Sequence, residues 1–231
     1  MNNIRSRLQQ FVEKQRTVFQ EARADLFFKI MQPKRGEKVL DLGGNRGQFA
    51  ALLKARGELA ITVADVTDFS TECAAHKCDF VLLPESGTLA FNDESYDIVF
   101  SNSVIEHVTL PKTECRSKDI TQREWDRRSA EAQLAFASEI RRIGKGYFVQ
   151  TPHPNFPLDL HLWLPFTSHL PHHALIDLTA ITDRWWIKPS YDLDWNLITE
   201  DRMRSFFPDA TIAIERALGM AKSLIAFRRL V

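Results

Sequence analysis

The sequence predicts an α/β fold in which a mainly parallel sheet carries helices on both faces. Three observations carry that expectation. Apolar runs at 38–42, 60–64, 79–83, 96–101 and 147–151 alternate with segments able to form helices, the order that a parallel sheet with crossover helices requires. Those runs are continuously apolar, as strands covered on both faces are. The stretch VLDLGGNRGQF, Val39 to Phe49, passes from such a strand through three glycines and a polar pair into a helix, a turn that needs a reason. With 231 residues, 44% of them apolar, the chain reads as one domain spanning 1–231.

Taken in order, Ile4, Leu8, Phe11, Val18, Ala22, Leu26 and Ile30 recur at helical spacing until Pro33 and Gly36 stop them, so residues 1–36 form a helical cap over one edge of the domain. Glu13, Glu21 and Asp25 separate this helix from a transit peptide. The five strands and their crossovers follow. Beyond Thr151 the rhythm gives way to a segment rich in Pro, His and Trp that carries no clear period up to about Asn196. A helix over 199–207 opens on acidic residues that suit its dipole and closes at Pro208. The runs ATIAIERAL and AKSLIAFRR alternate and meet near Gly219, a hairpin at the sheet edge.

Thirty basic residues balance thirty acidic ones, which removes the electrostatic footprint of a protein that binds nucleic acid through phosphates. The segment KTECRSKDITQREWDRR has only a small basic excess and reads as a solvated helix face. Cys73, Cys78 and Cys115 show no C-x-x-C spacing, so neither a disulfide framework nor a structural zinc is expected. No apolar run approaches the roughly 20 residues of a membrane span, and no signal-peptide pattern stands at the start. The expected location is cytoplasmic.

A strand, glycine turn and helix at the start of such a sheet place a ligand at the carboxyl ends of the strands. The dinucleotide fingerprint G-x-G-x-x-G fails from Gly43, where Asn45 and Gln48 stand at the other glycine positions, and fails again from Gly44. An NAD-dependent oxidoreductase is therefore the least favoured reading. The stretch resembles instead the first motif of class I S-adenosylmethionine-dependent methyltransferases, an acidic residue followed by x-G-x-G-x-G, here Asp41, Gly43, Asn45 and Gly47. Asparagine replaces the central glycine; it is the residue that most readily follows glycine into left-handed backbone, and Gly44 adds freedom. The resemblance implies backbone amides open to the cofactor's methionine end, a helix N-terminus facing its carboxylate, and Asp41 supporting the loop and the ammonium.

The likeness extends to the type 11 methyltransferase group. ITVADVTD ends a strand in Asp65, placed to accept from both ribose hydroxyls, with Val66 beside it. LLPESGTLAFNDESYDIVFSNSVIEHV aligns Glu85 and Ser86 with the adenine-contacting loop, where the family usually has Asp, and holds Asp79 in reserve. SNSVIEHV would set Asn102 and Ser103 beside the sulfonium and Glu106 and His107 on the next turn, His107 near the cofactor. GKGYFVQTPHPNFPLDLH and the closing helix and hairpin match in order and spacing. The resemblance thus covers most of the chain from about Glu37 and implies a Rossmann-like, seven-stranded, mainly parallel sheet with one antiparallel edge strand. Residues 109–128 and 162–196 depart from the pattern where this group inserts substrate-side elements.

Methyl transfer is an in-line displacement at an activated carbon, so alignment and a water-poor site are the main demands. A hydroxyl acceptor gains from a general base, and His153, His161 and His107 are the candidates, the first two ahead of the third. His153, Phe156, His161, Trp163 and Trp185 are the acceptor-side candidates; the aromatic residues there serve equally well as the core of a lid or a dimer contact. His169, His172 and His173 lack a spaced carboxylate or cysteine partner, Glu106 with His107 offers only a minor place for a divalent cation, and no metal is expected. The expected cofactor is S-adenosylmethionine, leaving as S-adenosylhomocysteine, and the expected acceptor is an O or N nucleophile on a secondary metabolite, sugar or glycan or lipid precursor. A non-catalytic cofactor-binding module and a nucleic-acid methyltransferase are the alternatives, the latter opposed by neutral charge and by SNSV in place of an N/D-P-P-Y/F/W motif. A homodimer stays open.

Overall fold

The computed structural model describes residues 2–84, 89–159, 161–183 and 192–229, with side chains from residue 17 onward. Helix α1 (Asn2–Met31) precedes β1 (Lys38–Leu42), α2 (Gln48–Arg56), β2 (Ala60–Asp65), α3 (Ser70–Ala75), β3 (Asp79–Leu82) and β4 (Tyr96–Asn102). Helix α4 (Gln122–Ile143) crosses to β5 (Gly144–Pro152); a small hairpin of β6 (Leu158–Asp159) and β7 (Leu164–Pro165), then α5 (His172–Thr182), α6 (Glu200–Phe206), β8 (Thr211–Ala217) and β9 (Met220–Arg228) complete the chain. The main sheet has seven strands in the order β3-β2-β1-β4-β5-β9-β8. Strands β1 to β5 pair in parallel, β9 runs antiparallel to β5, and β8 runs antiparallel to β9. The one reversed strand is thus β9, a place in from the edge that its hairpin partner β8 occupies.

Successive strand residues face opposite ways, and both faces are apolar. Val39, Ile98, Phe100 and Phe148 join Phe49 and Leu53 of α2 and Ala24, Phe27 and Met31 of α1 on one face. Leu40, Leu42, Val99, Tyr147 and Val149 join Ala137, Ile140 and Ile143 of α4 and Met203 and Phe206 of α6 on the other. The N-terminal helix therefore packs on one face of the sheet. Phe27, fully buried, stands edge-on to Phe100 and Phe148 at ring separations of 5.3 and 5.6 Å, and Phe49 stacks on Phe100 at 4.9 Å. Edge-on and offset contacts of this kind add to the area that the rings bury.

Local chemistry sets the boundaries. Thr121 caps α4 by accepting from the Glu124 N–H at 3.2 Å, and Trp125, Ser129, Gln133, Ala137 and Ile140 recur on its buried side. Residues 122–128 are thus the first turns of a crossover helix, and the irregular part of the 109–128 segment is 109–121. Thr199 caps α6 in the same way. The β8–β9 turn places Leu218 and Gly219 at φ 50° and 80°, the paired positive values of a tight hairpin that follows strand twist.

Phe27→Ala is expected to lower the unfolding free energy by about 3–5 kcal/mol, read from urea denaturation. A loss under about 1 kcal/mol would mean that α1 is not part of this core.

Candidate functional site

The carboxyl ends of the parallel strands carry the site. After β1 the chain turns through Gly43, Asn45 and Gly47 at φ 78°, 51° and 73°, so the asparagine does adopt the left-handed backbone that its position demands. A side chain at Gly43 would fall inside Val104, and a Cβ at Gly44 would lie 2.5 Å from the Asp41 carboxylate. The turn is tied to β2 by the Gly43 N–H, which donates to the Ala64 carbonyl at 2.7 Å. The Asn45 and Thr67 N–H groups donate to Asp65 at 3.0 and 3.1 Å, one to each carboxylate oxygen. Helix α2 starts from Gly47 with no side-chain cap on its first amides. Val66 is exposed at the rim. Glu85, Ser86 and Trp185 lie outside the described residues.

Asp41 sits beneath this turn, 2% exposed, with one carboxylate oxygen lacking a hydrogen-bond partner. Burial, and then the neighbouring Asp65 charge, push it up from 3.8 to about 7.

At the end of β4, Asn102 accepts from Arg23 of α1 at 2.6 Å, and the same guanidinium reaches Glu215 at 3.1 Å and Ser223 at 3.4 Å. Ser103, at φ 55°, is locked to β5, its N–H on the Gln150 carbonyl and its hydroxyl on the Gln150 side chain, both at 2.9 Å. The next turn, Ile105–His107, is a short 3-10 helix. There the His107 Nδ1 lies 2.8 Å from Asp194, and Thr109 donates to the Asp194 carbonyl at 2.8 Å. Burial pushes the Asp194 carboxyl up, but His107, the Lys112 charge and a backbone hydrogen bond together hold the group below its ordinary value.

His161 arrives from the β6–β7 hairpin. Its Nδ1 lies 3.1 Å from the buried Asp159, whose other oxygen accepts from Thr167 at 3.1 Å. Asp159 is also held below its ordinary value: burial raises it, and the hydrogen bonds and charge of His161 together with the Thr167 hydroxyl lower it by more. The His161 ring stacks on Trp195 at 4.7 Å and meets His107 edge-on at 5.0 Å. The structure therefore brings two of the three sequence candidates together, each with a carboxylate partner. His153 stands apart from that pair: its Nδ1 accepts the Asn155 N–H at 3.0 Å and holds its own turn, and burial lowers its pKa. Phe156, whose N–H donates to the His153 carbonyl, belongs to that turn, and Trp163, at φ 55° with its N–H on the Asp159 carbonyl, to the β6–β7 hairpin. A cavity of about 60 Å³ has Trp195, Trp125, His172 and Asn196 in its wall. His172 is stacked on Trp125 at 3.6 Å and bonded to the Cys115 carbonyl at 2.6 Å, a structural role. Among the described residues, the ligating atoms of Glu106, His107 and His161 lie within 4.8 Å of one another.

With this geometry in place, likeness to known proteins has a site to attach to. Residues 40–118 match the family model described as a methyltransferase domain. The chain has the fold of class I methyltransferases. The magnesium protoporphyrin IX methyltransferase of Synechocystis PCC 6803, solved with bound SAH, shares the fold with a TM-score of 0.54 at 14% identity over 96% of this chain and 87% of that one. A putative methyltransferase of Haloferax volcanii, solved with its Trm112 activator, gives 0.51 at 15% identity over 94% of each chain. Phosphoethanolamine N-methyltransferase 2 of Haemonchus contortus gives 0.51 at 13%, over 84% of this chain and 38% of that one. No curated protein matches the chain. Class I methyltransferases with such varied acceptors share the sheet, and the sheet does not name an acceptor.

Arg23, Asp159 and Asp194 escaped the sequence reading, since each meets its partner only through the fold. Asp41 has a testable consequence. The folded chain keeps this proton to about pH 7, whereas the unfolded chain loses it near 3.8, so its contribution to stability is full below about pH 4 and declines as pH rises toward 7. Asp41→Asn is expected to flatten that decline in urea denaturation at pH 5 and pH 8; an unchanged difference between the two pH values would place the proton elsewhere.

Proposed function

We propose that this methyltransferase moves the methyl group of S-adenosylmethionine to an oxygen or nitrogen nucleophile of a small molecule. The observation that carries the reading is the turn after β1, where three left-handed residues present backbone toward the uncapped start of α2. That arrangement suits the carboxylate of the cofactor's methionine end. Asp65 retains lone pairs beyond those its two loop amides use, and these suit ribose hydroxyls. Val66 offers apolar surface for the adenine beside it, and Glu85 and Ser86 complete that contact in this reading. Asn102 and Ser103 then border the methyl carbon.

The acceptor enters beside the post-β4 turn, where His107 and His161 stand with Trp195 as an apolar wall. Displacement at the methyl carbon needs the nucleophile's lone pair aimed and its proton released, and the two imidazoles are the groups that serve both ends. The chain's formal net charge of zero supports a small acceptor over a nucleic acid.

Calorimetry of the purified chain is expected to show binding of S-adenosylmethionine and S-adenosylhomocysteine and none of NAD(H); the reverse pattern would remove the reading. Asp65→Ala should weaken cofactor binding by about 1–3 kcal/mol, and an unchanged affinity in the folded variant would take Asp65 out of the site. Once an acceptor screen has found turnover, His161→Ala and His107→Ala are each expected to lower it about a hundredfold or more at near-normal cofactor affinity. His153→Ala should lower it far less.

A further inference from the structure

The turn after β4 contains a buried carboxyl group. Glu106 is fully buried, and among the described residues neither of its carboxyl oxygens has a hydrogen-bond partner. Its backbone is fixed, because the Asn196 N–H donates to the Glu106 carbonyl at 2.8 Å. A carboxylate in such a place is strongly disfavoured unless a cation meets it. The groups grouped with it are the His107 and His161 imidazoles, all three ligating atoms lying within 4.8 Å of one another.

Each imidazole also has the support that a metal-bound histidine has. His107 Nδ1 faces Asp194 at 2.8 Å and His161 Nδ1 faces Asp159 at 3.1 Å. A carboxylate accepting Nδ1–H fixes the tautomer and makes Nε2 the ligating atom, more basic than in an unsupported ring. Thr167 holds Asp159 from the other side, and Thr109 holds the Asp194 backbone. His161 is clamped flat on Trp195, which leaves its ring little rotational choice.

We propose that Glu106, His107 and His161 bind a divalent first-row transition ion, with zinc the best match. Two imidazole nitrogens and one carboxylate oxygen form the donor set of an open zinc site, three protein ligands and one free position. Magnesium and calcium call for more oxygen donors than the cluster supplies. Ligand atoms of a tetrahedral zinc site stand about 3.4 Å apart, as zinc–ligand bonds of about 2.1 Å require, so the three side chains draw together on binding. The His107 side chain, 35% exposed, has the freedom to do so.

The free position defines what the ion does if the methyl-transfer reading holds, on which this step alone rests. An acceptor hydroxyl would bind there and lose its proton to solvent, because the ion lowers the hydroxyl's pKa; with the ion bound the two imidazoles are its ligands, and this activation replaces the base role they have in the metal-free chain. Its oxygen forms the new bond to the methyl carbon while the carbon–sulfur bond breaks and its electron pair passes to sulfur. The products are a methyl ether and a neutral thioether.

The experiment takes the full chain, stripped with a chelator, and titrates it with zinc by calorimetry and with cobalt by visible absorption. Saturable uptake of one ion per chain is expected, with cobalt giving the intense bands of low coordination. Glu106→Gln and His161→Ala should each weaken zinc at least tenfold, and Asp159→Asn about 10–100-fold, at unchanged S-adenosylhomocysteine affinity. If the Glu106 variant fails to fold, His107→Ala, at a half-exposed position, makes the same comparison. Absence of saturable uptake, or uptake that none of these substitutions weakens, would overturn the proposal. The titration contains neither cofactor nor acceptor, so its failure leaves the cofactor-binding result standing, and failure of that result leaves the metal site standing.

Discussion

The close approach of Gly43 to Val104 is the constraint on which the rest of the site depends. It presses the turn after β1 against the turn after β4, so the glycine loop and the turn that carries Glu106 and His107 share one boundary. Any side chain at Gly43 would separate them. The parallel pairing of β1 with β4, through Val39–Ile98, Leu40–Val99 and Asp41–Phe100, sets the height at which the two turns meet. Beneath them the Phe27, Phe49, Phe100 and Phe148 rings form a packed floor, which gives a displacement chemistry the fixed distances it needs.

The other half of the site is built differently. His161, Asp159, Asp194 and Trp195 come from connections, not from the main sheet, and their positions rest on hydrogen bonds to elements that are rigid. Gln133 of α4 donates to the Asn196 carbonyl at 2.9 Å, and Asn196 in turn reaches Asp126 at 3.3 Å and the Glu106 carbonyl at 2.8 Å. A framework of the kind solved in other methyltransferase structures thus holds one side, and the connections after β5 are stitched onto it to form the other.

Much of the framework could be read from residues alone, and the reasons are local. Continuous apolar runs mark β1 to β5 within a residue or two for most of them, because a strand covered on both faces has no polar side to show. Gly43, Asn45 and Gly47 announce their turn through backbone conformation, which a short stretch encodes by itself. Asp194 and Asp159 carry no such mark: one meets His107 across 87 residues of chain and the other lies in a two-residue strand. Arg23 carries no mark in the sequence, and only the fold buries it against Asn102. Periodicity records which face of an element is covered and is silent on what covers it.

Arg23 also dictates an order of events in biosynthesis. Its guanidinium joins Asn102, Glu215 and Ser223, partners 79, 192 and 200 residues further along the chain. Lys222, itself buried, completes the knot by pairing with Glu215 at 2.7 Å and lying over Phe19 of α1. Helix α1 therefore cannot complete the pairing of its charged residue until the β8–β9 hairpin has been made. The apolar stripe of α1 covers β1, β4 and β5, strands that precede the hairpin, so the helix can dock on the sheet before Arg23 finds its last partners.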